Sequence, residues 1–230
     1  MESPIDSYFN WNNDKSSSMF VPDIGWWILE CDWLERDVNS ISSEVYSSTN
    51  GSWVSGPSFI GINGTSTFPG FGFCGAQLNK TDSLLTGGQP FGRWEESVTD
   101  VMIYDWTKEE WSKGTPMQSP RARHMCTPFG LGSFMVVGGY EPYEGQYYKT
   151  EIYDPEIDSW YYSKDLPSGC LHGKYGNIVN WNGYPLVISR YNICKFENGD
   201  WTLLKSTPDK SVYPNPNFET LLPDDFMPDC

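Results

Sequence analysis

The chain has 230 residues, of which 38% are hydrophobic and 16% aromatic, enough to build a core and to exclude global disorder. Its 15 basic and 30 acidic residues give a net charge of -15, which excludes nucleic acid and anionic membrane surfaces as favoured partners, since both need cationic neutralisation. No stretch is long and apolar enough to insert into a bilayer, and the six cysteines form neither a CxxC pair nor a zinc-type Cys/His spacing, so no metal or other cofactor is expected.

In chain order, residues 1–19 read as an N-terminal extension or the remnant of a repeat unit (YFNW, Tyr8–Trp11), without the basic and apolar pattern of a secretory leader. Residues 20–57 hold GWWILEC followed by SSEVYSSTNGSWVSGP. Residues 58–117 hold SLLTGGQ and DVMIYDWTKEEWSKGTPM, and residues 118–167 hold FMVVGGY and TEIYDPEIDSWYYSKDLP. Residues 168–208 hold YPLVIS and NICKFENGDWTLLKSTP. Gly88 and Gly139 lie 51 residues apart, and Tyr46, Tyr104 and Tyr153 each precede a tryptophan (Trp53, Trp111, Trp160) by seven residues. In the fourth unit Phe196 replaces the tyrosine and Trp201 follows five residues later, across a shorter turn. An internal period of this length marks a repeat architecture. Each unit reads as a buried apolar strand, an alternating strand, a turn and a strand carrying the tryptophan. Such a unit cannot bury both faces alone and must stack on its neighbours. Residues 209–230 form an acidic, Pro-rich tail, with a candidate closing strand near 217–222.

The order of apolar strand, paired glycines (Gly87, Gly88; Gly138, Gly139), tyrosine strand (Tyr104; Tyr153), turn and tryptophan (Trp111; Trp160) resembles the Kelch repeat. The resemblance implies an all-β fold, a Kelch-type β-propeller of four-stranded antiparallel blades. In that fold the glycines permit close backbone approach, and the Tyr and Trp rings fill the space between blades. Leu29-Glu30 and Ile188-Ser189 stand where the outer copies should carry glycines. Kelch propellers usually have more than four blades. The chain is therefore expected to be incomplete, to have degenerate end blades, or to complete its ring with a second chain through an open sheet edge.

The resemblance also implies a protein-protein interaction scaffold without enzymatic activity, contacting a peptide or protein through loops on one face. Candidate contacts are Arg93 and Trp94 in QPFGRWEES, Tyr140, Tyr143, Tyr147 and Tyr148 in YEPYEGQYYK, and Arg121, Arg123 and His124 in SPRARHM. Tyr, Trp and Arg are the usual hot-spot residue types, and arginines suit carboxylate-bearing peptides. The weighed alternative is a copper-dependent oxidase on the same scaffold, which would consume both histidines, His124 and His172. No GxSxG, HExxH or P-loop motif is present.

Cys74 and Cys126 fall 13 and 12 residues before Gly87 and Gly138, so they occupy equivalent places on neighbouring blades. They are expected to be too far apart to bond and to act, with Cys170, as small buried hydrophobes, while the pairing of Cys31 and Cys194 stays open. Three N-glycosylation sequons begin at Asn50, Asn63 and Asn79. They tilt the reading toward an extracellular chain if a leader precedes Met1, and otherwise the chain is expected in the cytoplasm.

Overall fold

The computed structural model describes residues 16–21, 24–30, 40–47, 49, 51–57, 59–60, 72–89, 96–130, 132–141, 145–146, 148–171, 176–189 and 192–206. They form four antiparallel sheets in chain order. The first contains β1 (Ser16–Val21), β2 (Gly25–Glu30), β3 (Ser40–Ser47) and β4 (Ser52–Ser55), with β5 (Phe59–Ile60) pairing to β3. The second contains β6 (Cys74–Gln77), β7 (Asp82–Thr86), β8 (Val101–Asp105) and β9 (Glu110–Lys113). In the third, β10 (Met125–Phe129), β11 (Ser133–Val137), β14 (Thr150–Asp154) and β15 (Ser159–Tyr162) pair in that order. A small hairpin, β12 (Tyr140–Glu141) with β13 (Gly145–Gln146), stands out of its middle connection. The fourth contains β16 (Gly176–Trp181), β17 (Tyr184–Ser189), β18 (Asn192–Glu197) and β19 (Asp200–Ser206). The first sheet begins at Ser16, so residues 16–19 belong to it and not to a separate extension.

Cross-strand aromatic pairs fix the register of every sheet. Tyr46 faces Trp53, Tyr104 faces Trp111, Tyr153 faces Trp160 and Phe196 faces Trp201. Their ring centroids lie 5.2, 4.9, 5.3 and 5.0 Å apart. Such pairs contribute roughly 0.5–1.5 kcal/mol each beyond simple burial. The turn chemistry sets their spacing. Asp105 and Asp154 accept backbone N–H groups two residues on, at 2.9 Å each, and left-handed Glu109 and Asp158 close those four-residue turns. Asn198-Gly199 instead forms a two-residue turn with both φ positive, which shortens the Phe196–Trp201 spacing.

The sheets pack face to face through the same rings. Trp27 of the first sheet lies 5.7 Å from both Tyr104 and Trp111 of the second and meets Trp106 edge-on at 4.9 Å. Tyr153 and Trp160 of the third sheet close over Leu84, Val101 and Met117, and the Trp160 indole donates to Thr115 O at 2.8 Å. Phe196 and Trp201 of the fourth sheet pack with Met135, Val137 and Ile152, and the Trp201 indole donates to Lys164 O at 3.1 Å. The first strands of consecutive sheets lie against one another, β1 on β6, β6 on β10 and β10 on β16. The last strands β4 and β9 are largely exposed. These are radially arranged blades with their first strands innermost.

The innermost position corrects the expectation for the cysteines. Cys74 begins β6 and Cys126 lies in β10, and they form a disulfide with Cα atoms 5.9 Å apart. Equivalent residues in mid-blade are held apart by a full sheet-to-sheet spacing of about 10 Å. At the inner edge the strands converge to bonding range. Cys170, in a 3-10 turn ahead of the fourth blade, is bonded to Cys194 in β18 with Cα atoms 5.8 Å apart. Cys74, Cys126 and Cys170 are therefore covalent staples rather than small hydrophobes, and Cys194 has a partner. Cys31, and the strand anticipated near 217–222, lie outside the described residues.

Candidate functional site

The glycine pairs end the second strands β7 and β11, and the chain there must pass close to the segment linking the second and third blades, residues 114–124. Gly87, Gly88, Gly138 and Gly139 all have positive φ, between 62° and 109°. A Cβ on Gly87 would stand 2.3 Å from Arg121 O, and one on Gly139 would stand 2.8 Å from Ala122 O. Only glycine fits at either place. The approach is used for bonding. Gly88 N–H donates to Arg121 O at 2.8 Å, and Arg121 N–H donates to Val98 O at 3.2 Å. Ala122 and Tyr140 exchange backbone bonds at 3.0 and 2.8 Å. The Ser97 hydroxyl donates to Tyr140 O at 3.2 Å. The connection between blades and the described parts of the two middle loops (87–89, 96–100, 138–141 and 148–149) thus lie at one end of the blades.

Beneath this end lies a buried charge pair. Arg121 and Glu151 both have fully buried side chains, and Arg121 Nη2 donates to Glu151 Oε1. Arg121 Nη1 also donates to Gly138 O at 3.0 Å and to Lys149 O at 2.8 Å. The Glu151 carboxylate accepts the Gln118 N–H at 2.7 Å and the Ser119 N–H at 3.1 Å. One pair thereby ties the connection, the middle loop and strand β14 of the third blade together.

Arg121 and His124 are therefore corrected as docking residues, because neither side chain reaches the surface. His124 is 6% exposed. His124 Nε2 and the Thr86 hydroxyl are hydrogen-bonded at 2.8 Å, and the Thr86 hydroxyl also lies 3.2 Å from Cys74 O. Burial, with the nearby Arg121 cation, holds the imidazole pKa well below the usual histidine range, and the ring is neutral. Tyr148 is half-buried against the core shared by the third and fourth blades, and its carbonyl accepts the Leu166 N–H at 2.8 Å. It belongs to inter-blade packing.

Arg123 points the other way. It adopts a left-handed φ of 54°, its N–H bonds Gly72 O, and its side chain is exposed. Tyr140 is half-buried and its backbone pairs with Ala122, the residue before Arg123. Arg93, Trp94, Tyr143, Tyr147, His172, Asn50 and Asn63 lie outside the described residues. Asn79 is exposed on the β6–β7 turn at the opposite end of the blade. Glu151, Thr86 and Ser119 had escaped sequence reading. The available signal was an acidic residue set between Thr150 and Ile152 in a strand whose neighbours are all buried.

No family profile matches the chain. An F-box/kelch-repeat protein of Arabidopsis thaliana is 32% identical over 93 residues, 38% of this chain and 22% of that protein. Kelch-like protein 23 of Pongo abelii is 30% identical over 113 residues, 46% of this chain and 18% of that protein. The matched stretches span about a fifth of each relative's length. The solved structure of YjhT, a Kelch-type propeller, superposes with a TM-score of 0.61 at 14% identity, over 85% of this chain and 66% of that one. The chain has the Kelch-type β-propeller fold, and its sequence is similar to Kelch-repeat proteins. The glycine pairs and ring pairs described above are the features that resemble the Kelch repeat. Leu29-Glu30 and Ile188-Ser189 show that the blades tolerate loss of the glycines while keeping the ring pair.

Proposed function

We propose that the protein is an interaction scaffold that binds a carboxylate-bearing peptide or protein at the glycine-pair end of its second and third blades. Kelch-repeat relatives are generally interaction proteins, which supports this reading. One observation carries it: Arg121 is buried in the framework while Arg123, two residues on, is exposed and follows Ala122, whose backbone pairs with half-buried Tyr140. The backbone carrying both residues is fixed, since three loop segments are cross-bonded there by backbone N–H groups. Arg and Tyr on a fixed backbone are residue types that dominate binding energy at interfaces. Arg93, Trp94, Tyr143 and Tyr147, outside the described residues, are further candidate contacts from the sequence.

The test is peptide display against the full chain. Selected peptides should carry Asp or Glu and should lose about tenfold in affinity with Arg123→Ala, the equivalent of one charge-assisted hydrogen bond. Tyr140→Ala should weaken them as well, and Lys108→Ala, at the opposite end, should not. Selected peptides that ignore Arg123→Ala and Tyr140→Ala would overturn the assignment.

A further inference from the structure

We propose that Asn79 carries an N-linked glycan on the end of the propeller opposite the docking loops, in a chain that matures in an oxidising compartment. Three independent features converge on it. Asn79-Lys80-Thr81 satisfies the acceptor pattern, with no proline in the middle place. Asn79 is exposed on the turn between β6 and β7, the kind of surface position that a bulky, solubilising group requires. The same blade is covalently joined to the next by Cys74–Cys126, and the fourth blade is closed by Cys170–Cys194. Structural disulfides persist where the medium is oxidising, which is also where sequons meet their transferase.

The local geometry accommodates the product. Asn79 Oδ1 accepts the Thr81 N–H at 2.8 Å, the Asp82 N–H at 2.9 Å and the Thr81 hydroxyl at 3.0 Å. Nδ2 donates one proton to Asp82 Oδ2 at 2.6 Å. In glycosylation Nδ2 forms a C–N bond to the anomeric carbon of a lipid-pyrophosphate-linked oligosaccharide. The anomeric C–O bond breaks with its electron pair leaving on the pyrophosphate, and one Nδ2 proton passes to a base of the transferase. The second N–H remains for Asp82, so the modified turn keeps its bonds. Thr81 O accepts the Trp106 N–H at 2.8 Å, which groups this turn with the β8–β9 turn. Strand β7 separates both from Gly87 by five residues, about 17 Å at the strand rise. A glycan there leaves the Arg123 end uncovered.

The experiment maps the protein purified from the cells that make it. Non-reducing digestion is expected to release linked Cys74–Cys126 and Cys170–Cys194 peptides. Peptide-N-glycosidase treatment in heavy-oxygen water should convert residue 79 to labelled aspartate. Because Asn50 and Asn63 are also sequons, the readout is the labelled position and not total glycan mass. On re-expression, Thr81→Ser should keep the label and Thr81→Ala should lose it while Asn79 itself is unchanged. An unmodified Asn79 peptide from the native protein, or free thiols at these four cysteines, would overturn the proposal. Neither measurement involves a binding partner, so its failure and failure of the docking assignment are separable.

Discussion

Replacing Arg121 with alanine should destabilise the third blade severely, by about 3 kcal/mol or more. Removing one member of a buried pair typically costs about 3–5 kcal/mol, because the surviving charge stays desolvated. Here the surviving Glu151 retains two backbone donors, from Gln118 and Ser119, which places the expected loss toward the lower end of that range. The carbonyls of Gly138 and Lys149 each lose a donor as well, which pushes the other way. The double variant Arg121→Met with Glu151→Met should be less harmful than the sum of its single changes, with a coupling of about 1–3 kcal/mol. Urea unfolding followed by tryptophan fluorescence reads the effect, because Trp160 and Trp201 bracket this blade. A single variant within about 1 kcal/mol of wild type, or singles that add without coupling, would refute the view that Arg121 belongs to the framework.

Three further outcomes are expected. Removing the Cys74–Cys126 bond with a Cys74→Ala, Cys126→Ala pair opens a loop of sequence separation 52, which loop entropy values at about 4 kcal/mol, and the urea midpoint should fall accordingly. Gly87→Ala should cost about 2 kcal/mol or more, since φ is +62° and the new Cβ meets backbone at 2.3 Å; Gly130→Ala, at φ +58° with open space, should cost only about 1 kcal/mol. Neutral, buried His124 makes stability fall as pH drops below the unfolded histidine value near 6.5, at about 1.4 kcal/mol per pH unit, and His124→Gln should flatten that slope in a pH series of melting curves.

Much of the fold was legible because its determinants are local. A seven-residue Tyr–Trp spacing is set by one turn, and Asp105 and Asp154 show how that turn is held. Phe196 could be aligned with the tyrosines because Asn198-Gly199 accounts for the missing residues. The glycine pairs were recognisable as sites of close approach, although the partner they approach is the connection at 121–124. What escaped reading depends on distant residues. Arg121 looks the same in sequence whether it meets solvent or Glu151, thirty residues on. Cys74 and Cys126 occupy equivalent repeat positions, and repeat position gives the strand but not its distance from the axis. Arg121 and Arg123 sit in one short motif with opposite fates, separated by the left-handed turn at Arg123.

The glycine cradles also bear on how such a protein can be cut or duplicated. Gly87 and Gly88 belong to the second sheet, yet the atoms that occupy their cradle, Arg121 O and the His124 ring, precede the first strand of the third. The hydrogen-bonded sheet and the unit that is complete when copied are therefore out of phase. A segment excised at Lys113, the last residue of β9, would leave the second blade with an uncovered glycine turn and half of a disulfide. One extended through Cys126 would carry its own lid and bond. Grafting, circular permutation or blade insertion in this scaffold should place its junctions by that longer module.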